Sequence, residues 1–425
     1  MEPVPPPTSP LNVAQAFATR EAARKNRRPD IHLSDGTATL FVALTTLIFC
    51  FSFLVPVLPI LVFYLLWFTQ PLLKGWRVVL ISRTTIWVMA LPVLGMVSVL
   101  WSAYPGHTLY LSVAMLSTVI GVLILNEVVR LRALLDGLII GITVALIITL
   151  ASHIYGTDAF GDTYSLVGYF GSKNKVGEIA EVGVVCSVAT LFMQGGMLRR
   201  MVLSVGPLAV CILCLFLCKS ATSSVSLIVA LMAMGWIVMI VRLPRTLRHI
   251  AILVTLLGVF LIGASGVAMN GSDVVLKTFG KDATLTGRTY LWQQGYQIGM
   301  ERPLLGHGYS AFWVQGEPRA ERYWQEFGMA SRTGFHFHDM YVQAFVDLGI
   351  IGVLIVALQI LLVCYEAVRR GLSDVPRSEA AFWMGISFMF LIRSAVEVDY
   401  INPFDFGTFI VYSAILRLAR RDFSQ

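Results

Sequence analysis

The 425-residue chain is 56% hydrophobic and only 13% charged, with a mean hydropathy of +0.74, whereas an ordinary soluble domain carries about 25% charged residues. That balance excludes a soluble globular protein and predicts an all-α integral membrane protein. The net charge of +7 is read through where the basic residues fall, as a topology signal; no nucleic-acid partner is expected.

Residues 1–37 are Pro-rich and then basic (Arg20, Arg24, Lys25, Arg27, Arg28), with no short apolar core before a small-residue cleavage site, so they read as a cytoplasmic tail. Beyond them, a helix needs roughly 17 to 25 apolar residues to cross a hydrocarbon core of about 30 Å. Twelve runs are candidates, at 38–54, 56–70, 84–103, 109–127, 133–154, 176–195, 201–218, 223–241, 249–269, 340–366, 379–396 and 403–418. The first nine transmembrane helices thus occupy 38–269 and the last three 340–418, with a long, partly helical periplasmic loop at 270–339 and a cytoplasmic tail at 419–425. Pro56 and Pro59 split the first apolar region into two short pieces. A single bent span there would invert everything downstream.

Basic residues at membrane ends decide between the two topologies, because they favour the cytoplasmic side. With twelve crossings, Lys74 and Arg77, Arg130 and Arg132, Arg199 and Arg200, Arg242 and Arg248, and Arg369 and Arg370 all lie inside. Both termini are therefore placed in the cytoplasm. The six cysteines sit in or beside apolar runs, and Cys211, Cys214 and Cys218 share one helix face, which suits packing and not a disulfide framework.

The one long polar interval runs from residue 284 to 347 and holds Arg288, Arg302, Arg319, Arg322 and Arg332. An unpaired charge in hydrocarbon costs roughly 3 kcal/mol or more, so these arginines sit in water or meet an anion. Thr286, Gly287 and Thr289 resemble a helix start, and Trp292, Tyr296 and Met300 supply an apolar face, so a helix is expected over 285–300. Arg302-Pro303 ends it, and Gly306 and Gly308 permit a tight turn.

Several residues carry candidate chemistry. Lys173, Asn174 and Lys175 open the sixth span, where the helix dipole disfavours cations and favours anions; an anion site and plain snorkelling to the interface both explain them. Lys219 stands in a tight outer hairpin whose hydroxyls, Thr222 and Ser223, cap the next helix, and it suits a phosphate or sugar. Arg288 begins the loop helix and offers a planar fork to phosphate, or a structural bridge to Asp282 or Glu301.

His336 and His338 flank Phe337. As the start of a helix they diverge, and no third Cys, His or carboxylate stands at ligand spacing, so no metal or other cofactor is expected. A single histidine exchanging a proton is the more economical reading, with structural hydrogen bonding as its rival. Arg393 lies inside an apolar run with Glu397 one turn on. The two either neutralise each other or serve a ligand.

Thr286-Gly-Arg-Thr-Tyr-Leu-Trp292, Arg302-Pro-Leu-Leu-Gly-His-Gly308, and His338 followed by Leu348-Gly-Ile-Ile-Gly352 together resemble the C-terminal pattern of the O-antigen ligase and polymerase superfamily. Phe170-Gly-Ser-Lys-Asn-Lys-Val-Gly177 resembles the upstream motif of its exopolysaccharide repeat-unit polymerase branch. The resemblance covers about residues 165–405 and implies an inverting glycosyltransferase that uses an undecaprenyl-pyrophosphate-linked glycan as donor, without nucleotide sugar or metal. It implies that Arg288 holds the pyrophosphate and that His338 acts as base or orients the acceptor hydroxyl. Asp339 stands where the family usually has Asn, which leaves open whether it shares the base role or orients His338. Ala221 stands where the family often has Arg or Lys after a Ser, with Lys219 two positions earlier.

The implied reaction is polymerisation of lipid-linked repeat units at the periplasmic face, with Lys173, Asn174, Lys175, Lys219, Arg302, His336, Arg393 and Glu397 expected around the substrate. A chain-length regulator, export proteins and membrane lipids are the expected partners. Transfer of glycan to lipid A core is the alternative within the same chemistry. A transporter or flippase is the alternative outside it, although carriers of that size often show related halves.

Overall fold

Each of the twelve apolar runs contains a helix wherever the computed structural model describes it, namely over residues 31–52, 57–76, 83–157, 164–193, 196–244, 246–255, 257, 287–373 and 375–419. The N-terminal tail to residue 30, the far half of the expected ninth span, the start of the long loop to residue 286 and the last six residues lie outside that description. In chain order the helices are α1 (Asp35–Phe51), α2 (Val57–Phe68), α3 (Arg83–Ser98), α4 (Pro105–Val128), α5 (Leu131–Ser152), α6 (Lys173–Leu191), α7 (Gly206–Cys218) and α8 (Ala221–Ile240). They continue as α9 (Thr246–Thr255), α10 (Arg288–Glu301), α11 (Pro318–Glu326), α12 (Met340–Gly371), α13 (Arg377–Arg393) and α14 (Phe406–Leu418). A two-residue antiparallel ladder, β1 (Tyr155–Gly156) on β2 (Ser165–Leu166), closes the connection before α6.

The chain is a helical, multi-pass membrane protein. Among the described residues, six helical stretches are long and apolar enough to cross a bilayer, at Val57–Lys74, Pro105–Val128, Leu131–Ser152, Met197–Cys218, Ala221–Ile240 and Met340–Gly371, and four apolar helices are shorter. Lys173–Leu191, which holds Lys173, Lys175, Glu178 and Glu181, and Arg377–Arg393, which is 17 residues long, are not among them. The twelve-span count and its sidedness are therefore part of the proposal below.

Side-chain size sets the closest helix contact. Gly137 and Gly141, one turn apart on α5, face α1, where a Cβ would lie 2.6 Å from Val42 Cβ and 2.6 Å from Thr46 Cβ. Small residues at such spacing let two backbones approach, which is the main packing device where lipid removes the hydrophobic drive. α8 packs on α13, α6 on α7, and α13 on α12. All six cysteines are free and buried, as their positions in apolar runs suggested.

The long loop, from Gly287 on, is a folded cap. Leu291 and Ile298 of α10, Phe312, Ala320, Tyr323 and Trp324 around α11, Phe337 and Val346 form an apolar cluster separate from the main core. The cap is tied to α12 through a break in that helix at Gly349 (φ 64°, ψ −162°). The backbone groups freed there are met by the loop: Ile350 N donates to Pro303 O (2.8 Å), and His307 N and Gly308 N donate to Val346 O (2.9 Å) and Asp347 O (2.8 Å). Irregular backbone at membrane depth is tolerated where protein satisfies it. A Cβ on Gly349 would strike the Leu304 carbonyl, so only glycine fits that position. Much of the Arg302–Gly308 motif thus serves to dock the cap.

Candidate functional site

Glu397 lies just beyond α13, is 3% exposed, and collects side chains from three other elements. Arg288, the first residue of α10, follows Gly287, whose left-handed φ of 80° turns the chain into the helix. Its Nη2 donates to Glu397 Oε1 at 2.6 Å, and its Nη1 donates to Val396 O at 2.9 Å and Thr222 Oγ1 at 3.5 Å. Asn174, from the first turn of α6, donates through Nδ2 to the same Oε1 (2.7 Å) and accepts from Ser220 Oγ (2.9 Å). The other carboxylate oxygen, Oε2, lies 3.3 Å from His338 Nδ1.

These contacts fix the charge states. Burial alone would raise Glu397, but Arg288 and the His338 hydrogen bond hold it well below the usual carboxylate range. An ionised carboxylate only accepts, so the contact assigns a hydrogen to His338 Nδ1 and turns Nε2 away from Glu397. The backbone around His338 is held in an uncommon state, at φ 52°. Trp292 Nε1 donates to its carbonyl (3.2 Å), and its own N–H donates to His336 Nδ1 (3.1 Å). The two imidazoles lie 4.3 Å apart between centroids. Burial, with His338 adding to it, lowers His336 to about 3, so that ring stays neutral.

Arg288 and His338 therefore meet on one carboxylate, with Asn174 beside them. The other expected site residues divide. Lys175 Nζ binds Asp405 (2.8 Å to both carboxylate oxygens) and Glu178 (2.7 Å). Lys219, left-handed at φ 49°, donates to Tyr164 O at 3.1 Å, and Lys173 opens α6. Arg302 is exposed and donates to Trp101 O at 3.2 Å, on the flank of the cap.

Three readings from the sequence are corrected. Arg393 does not pair with Glu397: its Nε and Nη2 bind Asp399 at 2.7 and 3.1 Å, and Glu181 lies 3.6 Å away. The backbone keeps the one-turn spacing, with Glu397 N donating to Arg393 O at 2.7 Å, but the two side chains turn to different partners. Arg288 does not take Glu301 as its structural partner, since Glu301 binds Arg319 at 2.9 Å; Asp282 lies outside the described residues. The third potential ligand thought missing beside His336 and His338 is Glu397, brought there by the fold from outside the local sequence window. Asp339 is explained otherwise: its Oδ1 caps α12 by accepting from Tyr341 N (2.8 Å) and Val342 N (2.9 Å). Burial raises its pKa against those two bonds.

Sequence reasoning missed Glu178 and Glu181, both fully buried, which with Asp399 complete the ion cluster around Arg393 and Lys175. The signal was present: two acidic residues three apart inside an otherwise apolar helix are costly unless paired.

The family model described as O-antigen ligase matches residues 206–357. Over 375 residues, 87% of this chain and 85% of the relative, the chain is 33% identical to the exopolysaccharide production protein ExoQ of Rhizobium meliloti (strain 1021). The family match takes in Lys219, Arg288, Arg302, His336 and His338, and stops short of Glu397.

Proposed function

The chain belongs to the O-antigen ligase and polymerase superfamily, and from that membership and the convergence of Arg288 and His338 on Glu397 we propose that it is a polysaccharide polymerase. It joins undecaprenyl-pyrophosphate-linked repeat units at the periplasmic face of the bacterial inner membrane, in a twelve-span topology with both termini inside. The likeness to an exopolysaccharide production protein along most of both chains favours this over a ligase. The description of the matched family favours transfer to lipid A core as the second reading.

The chemistry follows from the arrangement. An acceptor hydroxyl attacks the sugar C1, the C1–O bond to pyrophosphate breaks, and the hydroxyl proton passes to His338 Nε2. Inversion at C1 results, because attack and departure are on opposite faces. Negative charge grows on the departing pyrophosphate, and a guanidinium already in place stabilises that charge more than it stabilises the ground state. Arg288 has five N–H donors; its bonds to Glu397, Val396 and Thr222 align the fork and leave donors for phosphate oxygens. Glu397 holds the His338 ring so that its basic nitrogen faces away from the carboxylate and stabilises the imidazolium once the proton arrives. Asn174 shares the load on Glu397. Lys173, Lys175 and Lys219 bring positive charge to the neighbouring helix ends.

The single observation carrying this reading is the pair of contacts on Glu397, Arg288 on one oxygen and His338 on the other. It is tested with purified protein and two acceptors, a lipid-linked repeat unit and a lipid A core oligosaccharide. Elongation of the first supports a polymerase; modification of the second alone supports a ligase.

A further inference from the structure

We propose that His336, His338 and Glu397 form a site for a transition-metal ion of the zinc class, and that occupancy switches the enzyme off. One ligand atom from each of the three lies within 4.8 Å of the other two. His338 Nδ1 and Glu397 Oε2 are 3.3 Å apart. Two ligands on a tetrahedral zinc, at bond lengths of about 2.0–2.1 Å, are separated by roughly the same distance. Two imidazoles and one carboxylate are also a donor set that zinc accepts, with a fourth position left for water.

The rest of the site limits how the ion binds. Glu397 Oε1 is taken by Arg288 and Asn174, so the ion uses Oε2, whose contact is to His338. His338 Nδ1 must lose its hydrogen, and His336 must give up the bond it accepts from His338 N–H, whether it binds through Nδ1 or moves its hydrogen there and binds through Nε2. The ion therefore competes with a proton and one hydrogen bond, and affinity falls at low pH. The positive charge of Arg288 nearby weakens binding further. Those features suit a reversible inhibitory site and not a tightly held resident metal.

Occupancy removes the orienting bond between His338 and Glu397 and puts a dication beside Arg288. The consequence for activity rests on the polymerase reading; the metal site itself does not.

The test uses tag-free, full-length protein in nanodiscs. Cobalt(II) replaces zinc as a visible probe, and binding is expected at one ion per chain with the absorption bands of a four-coordinate site, displaced by zinc. Copper(II) electron paramagnetic resonance on the unmodified protein counts ligands without any substitution: nitrogen couplings from two imidazoles are expected. His336→Ala and Glu397→Gln are each expected to weaken cobalt binding by more than the roughly 100-fold that loss of an outer-sphere partner can cause. Zinc is expected to stop polymer formation over the range in which it displaces cobalt, with recovery on chelation. Absence of stoichiometric cobalt binding, couplings from one imidazole or none, or unchanged affinity in His336→Ala would overturn the site. Binding as described, with polymer formation indifferent to zinc, would overturn the inhibitory role alone. If the unmodified protein binds cobalt but forms no polymer, it is the polymerase reading that fails.

Discussion

Replacing Glu397 by Gln keeps the length and shape of the side chain and removes its charge. In the native site that charge accepts from Arg288 at 2.6 Å and faces His338 at 3.3 Å, with both Arg288 and Glu397 almost wholly buried. Breaking one partner of a buried pair costs about 3–5 kcal/mol, because the other charge is left uncompensated. Arg288 keeps the Val396 carbonyl and Thr222, so the lower end, about 3 kcal/mol, applies. The larger effect is on rate. His338 loses the acceptor that fixes its tautomer and steadies its imidazolium, and a positioned base contributes about 10²–10⁴-fold. The expected result is a fall in kcat of about 100-fold or more at nearly unchanged donor KM. Two assays separate the effects: elongation of a synthetic lipid-linked repeat unit, followed by chromatography, and thermal unfolding of the same preparation. A Gln variant that elongates at the native rate would refute the reasoning, whatever its unfolding temperature.

Arg288→Ala and Arg288→Lys are both expected to abolish polymer while the protein still reaches the membrane, since a point charge does not replace a bidentate fork; normal polymer from the Ala variant, in an immunoblot-matched sample, excludes the pyrophosphate role. Asp339→Asn is expected to keep activity within a few fold, because Asn caps a helix about as well as Asp, while Asp339→Ala loses about 0.5–2 kcal/mol of stability; loss of activity in the Asn variant with intact folding would restore a base role for Asp339. Arg393→Met leaves Glu181 and Asp399 without their partner and is expected to lower expression and unfolding temperature sharply. Glu397 has a depressed folded pKa, so its stabilisation is present above the unfolded value of about 4.3 and is lost only as pH falls through the lower folded value. Unfolding followed from pH 7 to pH 4 should therefore show little loss assignable to Glu397, and an acid limb identical in Glu397→Gln above pH 5 checks the sign.

Hydropathy made the helices legible because a bilayer imposes one length and one composition on whatever crosses it. Each apolar run contains a helix, and the expected helix at 285–300 corresponds to Arg288–Glu301. The site was legible as an inventory and not as a wiring scheme. Arg288, His338, Asn174 and Glu397 could be picked out because charged or titratable groups at a membrane edge need a reason. Their mutual contacts could not, since they join positions 174, 288, 338 and 397 across four elements. Local spacing misled where it was used to pair charges: Arg393 and Glu397 are four apart, yet each takes a different partner. The glycines of the Arg302–Gly308 motif read as a turn, but their tie to the break at Gly349 depends on two backbones meeting, which no side-chain pattern announces.

The central claim is that Arg288 and His338 act on the two sides of one glycosidic exchange. The most direct measurement incubates the protein in sealed vesicles with a synthetic undecaprenyl-pyrophosphate-linked repeat unit and follows new glycosidic linkages and free undecaprenyl pyrophosphate by mass spectrometry. The account predicts one undecaprenyl pyrophosphate released for every linkage formed, with inverted configuration at the new bond and neither product in the Arg288→Ala protein. Movement of the lipid-linked substrate across the bilayer with no new linkage would contradict it.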